Sequence, residues 1–187
     1  MRIIAGAYKG RRLTTPRGET TRPTADQVRI ALLDALMPWL PEARVLDLFA
    51  GAGTMGLEAL SRGAAHATFV ERGAPALDAL RRNVDATRFA DGAEIVNANV
   101  VGFLDRLESA AYDIVFVDPP FADVAVMEAT LAHPNLRRAL APNAIVVARV
   151  LRKHPPVLPA FAQLFRTRRI GEEDLLFLRY SGVGGGG

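Results

Sequence analysis

The chain has 187 residues, no cysteine and a formal net charge of +3. That length favours one domain with room for a real hydrophobic core. The missing thiol excludes a cysteine nucleophile, a cysteine-ligated metal and an iron–sulfur cluster, and the three histidines, His66, His133 and His154, stand in no ligand-spaced motif, so no metal is expected.

The charge is unevenly placed. Residues 1–22 carry Arg2, Lys9, Arg11, Arg12, Arg17 and Arg22 against Glu19 alone, so this segment holds +5 and the remainder of the chain −2. A basic arm on a near-neutral body points to a polyanionic partner; a merely solvated basic arm is the plainer alternative. "MRIIAGAYKGRR" has no long apolar stretch after its basic residues. No apolar run in the chain approaches the roughly 20 residues of a membrane span. Neither a secretory leader nor a membrane segment is therefore expected.

Next, "TRPTADQVRIALLDAL" reads as the start of a helix. Thr24 and Gln27 have capping-box spacing behind Pro23, and Val28, Ala31, Leu32, Ala35 and Leu36 recur at helical period. Pro38 and Pro41 end it.

From Arg44 the rhythm alternates. Strands are expected at Val45–Phe49, Ala67–Glu71, Glu94–Asn97, Tyr112–Asp118 and Ala144–Val150. Helices are expected between them at Met55–Arg62, Pro75–Arg88 and Val101–Leu107, with helical segments again before Leu140. Such alternation implies a parallel sheet with helices on both faces. "QLFRTRRIG" and "DLLFLRY" read as an antiparallel hairpin on the sheet edge, and "GVGGGG" as a disordered tail. The expected organisation is a basic arm over 1–22, one α/β domain over 23–181 and a flexible tail over 182–187.

The first strand ends "VLDLFAGAGTMG". Gly51, Gly53 and Gly56 match G-x-G-x-x-G, and Glu71 lies 20 residues beyond Gly51 at the end of the second strand. That is also the dinucleotide fingerprint, so an NAD-linked oxidoreductase is a real alternative. Asp47 weighs against it. A pyrophosphate on the next helix N-terminus would face this acid, and like charges at 4–6 Å cost roughly 1 kcal/mol in water and several times that in a partly dry cleft. S-adenosylmethionine carries an ammonium and a sulfonium and no phosphate, so the same acid attracts it. Glu71 would accept from ribose hydroxyls in either case.

The fourth strand ends "YDIVFVDPPF". An exocyclic amino nitrogen of a base is a poor nucleophile, because its lone pair is delocalised into the ring. The Asp118 carboxylate and the Pro119 carbonyl, stiffened by the Pro119–Pro120 pair, can accept its two N–H groups and draw the nitrogen toward tetrahedral geometry. Phe121 offers a stacking face, worth roughly 1–3 kcal/mol per base. Ring-carbon methylation of a pyrimidine normally needs a thiolate, which this chain lacks.

Together these residues resemble the class I S-adenosylmethionine-dependent methyltransferases, and more narrowly the bacterial RsmD family, which methylates N2 of a guanine in 16S ribosomal RNA. The likeness is carried by "RIIAG" with "KGRRL", "RPTADQVR", "DLFAGAGTMGLEALSRGA", "FVE" and "VFVDPPF". It implies a Rossmann-like α/β fold: a mostly parallel seven-stranded sheet with an antiparallel C-terminal hairpin, preceded by a basic β-hairpin. By this resemblance Asp47, Phe49, Gly51, Gly53 and Glu71 line the donor pocket, with Asn99 and Val100 beside the adenine. Asp118, Pro119, Pro120 and Phe121 hold the base. Arg22, Thr24 and Arg29 stand at the entrance, near the donor carboxylate or the RNA backbone. Arg2, Lys9, Arg11 and Arg12, with Arg22 and Arg29, are the expected RNA contacts, and Arg166, Arg168 and Arg169 could extend them. The resemblance further implies a cytoplasmic bacterial monomer acting on RNA within an assembling or assembled small ribosomal subunit. The chain departs from the family at Ile30, where an acid often stands, and at Ala148–Arg149, where the fifth strand tends to end in Glu. An N6-adenine methyltransferase and a non-catalytic RNA-binding module remain open beside the oxidoreductase.

Overall fold

The computed structural model describes residues 1–16, 23–108, 111–120 and 123–182. Strands β1 (Arg44–Leu48), β2 (His66–Glu71), β3 (Ala93–Asn97), β4 (Tyr112–Val117), β5 (Leu140–Leu151), β6 (Ala162–Ile170) and β7 (Glu173–Tyr180) form one seven-stranded sheet of order β3-β2-β1-β4-β5-β7-β6. β1 to β5 pair in parallel, and β7 joins antiparallel to both β5 and β6. The helices are α1 (Pro23–Leu36), α2 (Thr54–Ser61), α3 (Ala74–Thr87), α4 (Val100–Arg106), α5 (Val124–Ala132) and α6 (Pro134–Arg138). This is the expected architecture, and strand order reverses between β1 and β4, where such sheets bind ligands.

Strand alternation sorts side chains onto two faces. Val45, Phe69, Ile114, Phe116, Val147 and Phe177 pack with α1, α2 and α3 residues in one buried cluster. Leu46, Val70, Val115, Val117, Val146 and Leu178 pack with α4, α5 and α6 residues in the other. Stepping two residues from the first set places Asp47, Glu71, Asp118, Arg149 and Glu173 on the α1/α2 face. The fold thus delivers four acids and one guanidinium to one rim.

Several boundaries differ from expectation. α1 is described from Pro23, so Thr24 stands within its first turn rather than ahead of it, and proline pre-sets the backbone there. The side chain of Thr24 lies outside the described residues. β5 begins at Leu140 rather than Ala144, because the register with β4 shifts between Tyr112 and Ile114 and Asn143 turns at φ +63°. β4 stops at Val117, leaving Asp118 as the first residue beyond it. In the expected tail, residues 183–187 lie outside the described residues.

The N-terminal segment is not a projecting arm among the described residues. It is a hairpin with a single bridge between Arg2 and Arg12, and Ile3 and Leu13 enter the core. The fully buried Glu58 of α2 accepts from the amides of Ile4 and Ala5, both at 2.9 Å, and from Arg62 Nε at 3.1 Å. The Ser61 hydroxyl donates to the Ala5 carbonyl at 2.7 Å and accepts from the Tyr8 amide at 3.0 Å. Asn83 of α3 exchanges two hydrogen bonds with the Thr14 backbone and donates to the Ala52 carbonyl. Arg2, Lys9, Arg11 and Arg12 are meanwhile exposed.

Glu58→Ala removes the acceptor of two amides and of Arg62 Nε, leaving Arg62 only its Nη1 contact with Asp34 at 2.6 Å among the described residues, and is expected to cost about 3–5 kcal/mol. Chemical denaturation checks the loss, and accelerated amide exchange at Ile4 and Ala5 checks its origin; unchanged exchange there would show another anchor.

Candidate active site

The glycine loop turns between β1 and α2 on left-handed residues: Phe49 at φ +71°, Gly51 at +56° and Gly53 at +78°. A Cβ at Gly53 would lie 2.3 Å from Leu80 Cδ1, so glycine is required there for packing as well as for backbone conformation. Space beside Gly51 is open. Phe49 is the non-glycine exception, and its ring packs against the opposite core cluster.

Two carboxylates occupy the amides of this loop. Asp47 Oδ2 accepts from the Gly56 amide in the first turn of α2 at 3.0 Å. Glu71 Oε2 accepts from the Gly51 amide at 2.8 Å, and its Oε1 accepts from the amides of Arg72 and Gly73. Two of the donors that a phosphate would seek here, the Gly51 and Gly56 amides, are therefore already satisfied by acids. Asp47 is only 2 % exposed. Burial, opposed by the Gly56 amide and aided by the negative charges of Asp118 and Glu71, raises its pKa to about 7.

Across the switch point, Asp118 keeps a 30 % exposed side chain. Burial raises its pKa and the Arg149 guanidinium opposes the rise. Arg149 Nη1 donates to Asp118 Oδ2 at 3.2 Å, while its Nε and Nη2 fork onto Glu173 at 2.7 and 3.0 Å. Among the described residues the Pro119 carbonyl accepts no hydrogen bond, whereas the Pro120 carbonyl takes the Asp123 amide at 2.9 Å. A cavity of about 80 Å³ opens beside these groups, walled by Asp26, Arg29, Thr54, Met55, Asp118 and Arg149.

A model of the family described as Conserved hypothetical protein 95 matches residues 1–179. The chain belongs to that family, the RsmD family. It is 39 % identical over 173 residues to "Ribosomal RNA small subunit methyltransferase D" of Escherichia coli K12, spanning 92 % of this chain and 86 % of the relative. The protein of that name from Haemophilus influenzae is 34 % identical over 174 residues, 91 % of this chain and 89 % of its own length. Among solved structures, "Putative methyltransferase yhhF from Escherichia coli" superposes with a TM-score of 0.83 at 34 % identity, covering 96 % of this chain and 97 % of that one.

Within this RsmD-family chain the expected donor residues Asp47, Phe49, Gly51, Gly53 and Glu71 gather at one rim. Asn99 takes a local duty: its Oδ1 caps α4 by accepting the Gly102 amide at 2.7 Å, and the adjoining Val100 is buried. Arg29 is corrected as a surface RNA contact. It is 4 % exposed, donates to the Arg2 carbonyl and to Asp26, and leaves Nε and Nη1 buried without a hydrogen bond. Of the last hairpin's cations, Arg168 donates to the Ala31 carbonyl and Arg166 lies 5.5 Å from the Phe177 ring centroid. Arg22 and Phe121 fall outside the described residues. Sequence reading missed Arg149 and Glu173 as neighbours of Asp118. The departure at Ala148–Arg149 was the visible signal, but its partner depends on strand register.

The raised pKa of Asp47 makes stability depend on pH. The folded state retains this proton up to about pH 7, whereas an unfolded aspartate releases it near 3.9. This stabilisation is complete below about pH 4 and is lost as pH rises to about 7. Asp47→Asn keeps an acceptor for Gly56 without the charge, so it should exceed wild type at pH 8 by on the order of a few kcal/mol and converge with it near pH 4. Guanidinium unfolding at the two pH values checks the sign.

Proposed function

We propose that this protein transfers a methyl group from S-adenosylmethionine to the exocyclic N2 of a guanine in 16S ribosomal RNA. The observation that carries the reading is the occupation of the Gly51 and Gly56 amides by Glu71 and Asp47. A pyrophosphate would have to break both bonds and sit among carboxylates. A ligand bearing cationic groups meets the carboxylates of Glu71 and Asp47; burial, aided by Asp118 and Glu71, raises the pKa of Asp47 to about 7, and a bound cation favours its ionised form. The name that the family relatives carry, ribosomal RNA small subunit methyltransferase D, supports the same class of activity and substrate.

The donor supplies an electrophilic methyl on sulfur. Everything else falls to the chain. Asp47 and Glu71 hold the cationic and ribose portions, and the left-handed glycine loop lets backbone approach closely. Arg29, with two buried donors lacking partners, is suited to the donor's carboxylate. Asp118 and the Pro119 carbonyl, which accepts no hydrogen bond among the described residues, accept the two N–H groups of the target amine and aim its lone pair. The amine nitrogen takes the methyl as its bond to the sulfonium breaks, leaving the thioether S-adenosylhomocysteine, and Asp118, which accepts an N–H of the amine, takes the proton it sheds. Positioning and electrostatics supply the acceleration.

Arg2, Lys9, Arg11 and Arg12 face solvent on the N-terminal hairpin and would hold RNA phosphates. Such contacts position the RNA, and its folded shape sets the site. The reading takes the protein as a monomer in the bacterial cytoplasm, acting on RNA in an assembling or assembled small subunit. The named relatives are bacterial. No helix among the described residues is long and apolar enough to cross a membrane.

Calorimetry against S-adenosylhomocysteine should show binding and NAD none; the reverse rejects the reading. Nucleoside mass spectrometry of small-subunit RNA from a deletion strain should lose N2-methylguanosine, and loss of N6-methyladenosine instead would reassign the target. Asp118→Ala is expected to cut methyl incorporation by about 100- to 1000-fold with S-adenosylhomocysteine affinity nearly unchanged; equal loss of both would remove Asp118 from catalysis. Replacing Arg11 and Arg12 with alanine should weaken RNA binding and lower the slope of log affinity against log salt by roughly 1.5–2, which filter binding at several salt concentrations measures.

A further inference from the structure

The fifth strand brings a guanidinium to the acid that receives the base. Val117 and Ala148 are partners across β4 and β5, so Asp118, just past the end of β4, stands beside Arg149 of β5. On the other side β7 runs antiparallel, with Leu151 opposite Glu173 and Arg149 opposite Leu175. This register lets Glu173 Oε2 and Oε1 take Arg149 Nε at 2.7 Å and Nη2 at 3.0 Å, a two-pronged pair. Nη1 is left to reach Asp118 Oδ2 at 3.2 Å. Side-chain exposures of 20 % for Arg149 and 13 % for Glu173 place the group in a partly dry setting.

We infer that Arg149, held in its fork by Glu173, is a positioning residue for methyl transfer: it fixes one oxygen of Asp118 and keeps that carboxylate ionised, leaving the other oxygen to accept the target amine. The inference rests on the function proposed above. Its physical core is a charge count. Two acids share one guanidinium, so the trio keeps a net charge of −1. Arg149 thus opposes protonation of Asp118 without cancelling the negative charge that an incoming N–H group meets. A simple ion pair between Arg149 and Asp118 would quench that charge; Glu173 prevents it by claiming two of the three donor nitrogens. Asp118 Oδ1 has no hydrogen bond among the described residues, whereas Oδ2 is pinned. That is the division of labour a single-acceptor geometry requires. The arginine's planar fork also limits rotation, which a lysine could not do.

Other charges face Asp118 or its neighbourhood from each packed element. Asp47 lies on β1, Glu71 on β2, Glu173 on β7, and Asp26 and Arg29 on α1 across the shared cavity. His154 and Asp123 line the groove on the far side of Arg149. All of these persist in an Arg149 variant, so a difference between variant and wild type reports the guanidinium itself.

The test reads Asp118 directly. Carbon-13 NMR of aspartate-labelled protein, with the Asp118 carboxyl assigned by Asp118→Asn, follows its titration in wild type, Arg149→Met, Arg149→Lys and Glu173→Gln. In Arg149→Met the Asp118 carboxyl should hold its proton to higher pH than in wild type, with Arg149→Lys between the two. Methyl transfer at saturating donor should fall at least about tenfold more at pH 6 than at pH 9 in Arg149→Met, with Arg149→Lys recovering the pH profile but not the full rate. Glu173→Gln, which keeps the guanidinium but removes an acid that raises the Asp118 titration and lets Arg149 turn to Asp118, should lower kcat while Asp118 titrates at lower pH than in wild type. Identical titration in wild type and Arg149→Met overturns the inference, as does a rate loss of equal size at every pH. Should Arg149→Met not fold, Arg149→Lys and Glu173→Gln decide by the same readouts. A wild type that titrates as expected yet methylates no RNA would reject the proposed function and leave the Arg149 titration result standing.

Discussion

A single hydrogen bond, from the Gly56 amide to Asp47, sets the character of the crevice. The N-terminus of a helix carries roughly half a positive charge and attracts anions. In this chain the attraction is spent internally, on a carboxylate delivered by the adjoining strand. The result is a loop with the outline of a nucleotide cradle and the opposite electrostatic preference. Glu71 repeats the arrangement at Gly51. Burial, with the nearby charges of Asp118 and Glu71 adding to it, is why Asp47 holds its proton so far above an ordinary aspartate.

That crowding of charge is tolerable because the acids arrive on different strands of a rigid sheet. Alternation along β1, β2, β4, β5 and β7 sends Asp47, Glu71, Asp118, Arg149 and Glu173 to one face. The branched and aromatic residues two positions behind them anchor each strand in the same core cluster. Moving any of these side chains requires moving a packed strand, and cores of this density resist such shifts. The site is preorganised by the sheet and only finished by the loops.

Much of this was legible in the chain. The alternating apolar runs, the glycines after β1 and the acid-proline-proline turn after β4 are local signals, and each maps to one element end. Their common rim follows from strand parity once the sheet order is known. What escaped reading depended on contacts between distant segments. Arg149 looked like a departure at the end of a strand, and only the register of an antiparallel neighbour supplies Glu173 as its brace. Arg29 looked like one more basic residue near a basic arm. It is buried because Ile3 and Leu13 draw that arm onto the body, which no local pattern announces. The described helix includes Pro23, one residue ahead of the Thr24 start that the capping-box spacing suggested, as proline's preference for a first helical turn allows.

The eight residues of α2 serve two masters. Gly56 in their leading turn, just past the cap residue Gly53, ties the glycine loop to Asp47, and their trailing turn clasps the N-terminal hairpin through Glu58 and Ser61. Less than three helical turns of chain therefore join the basic N-terminal hairpin to the crevice, with no hinge between them. The hairpin cannot drift in evolution as an interchangeable accessory. A relative that lengthened this helix by one residue would swing its two ends about 100° apart around the axis, and would have to rebuild both surfaces together.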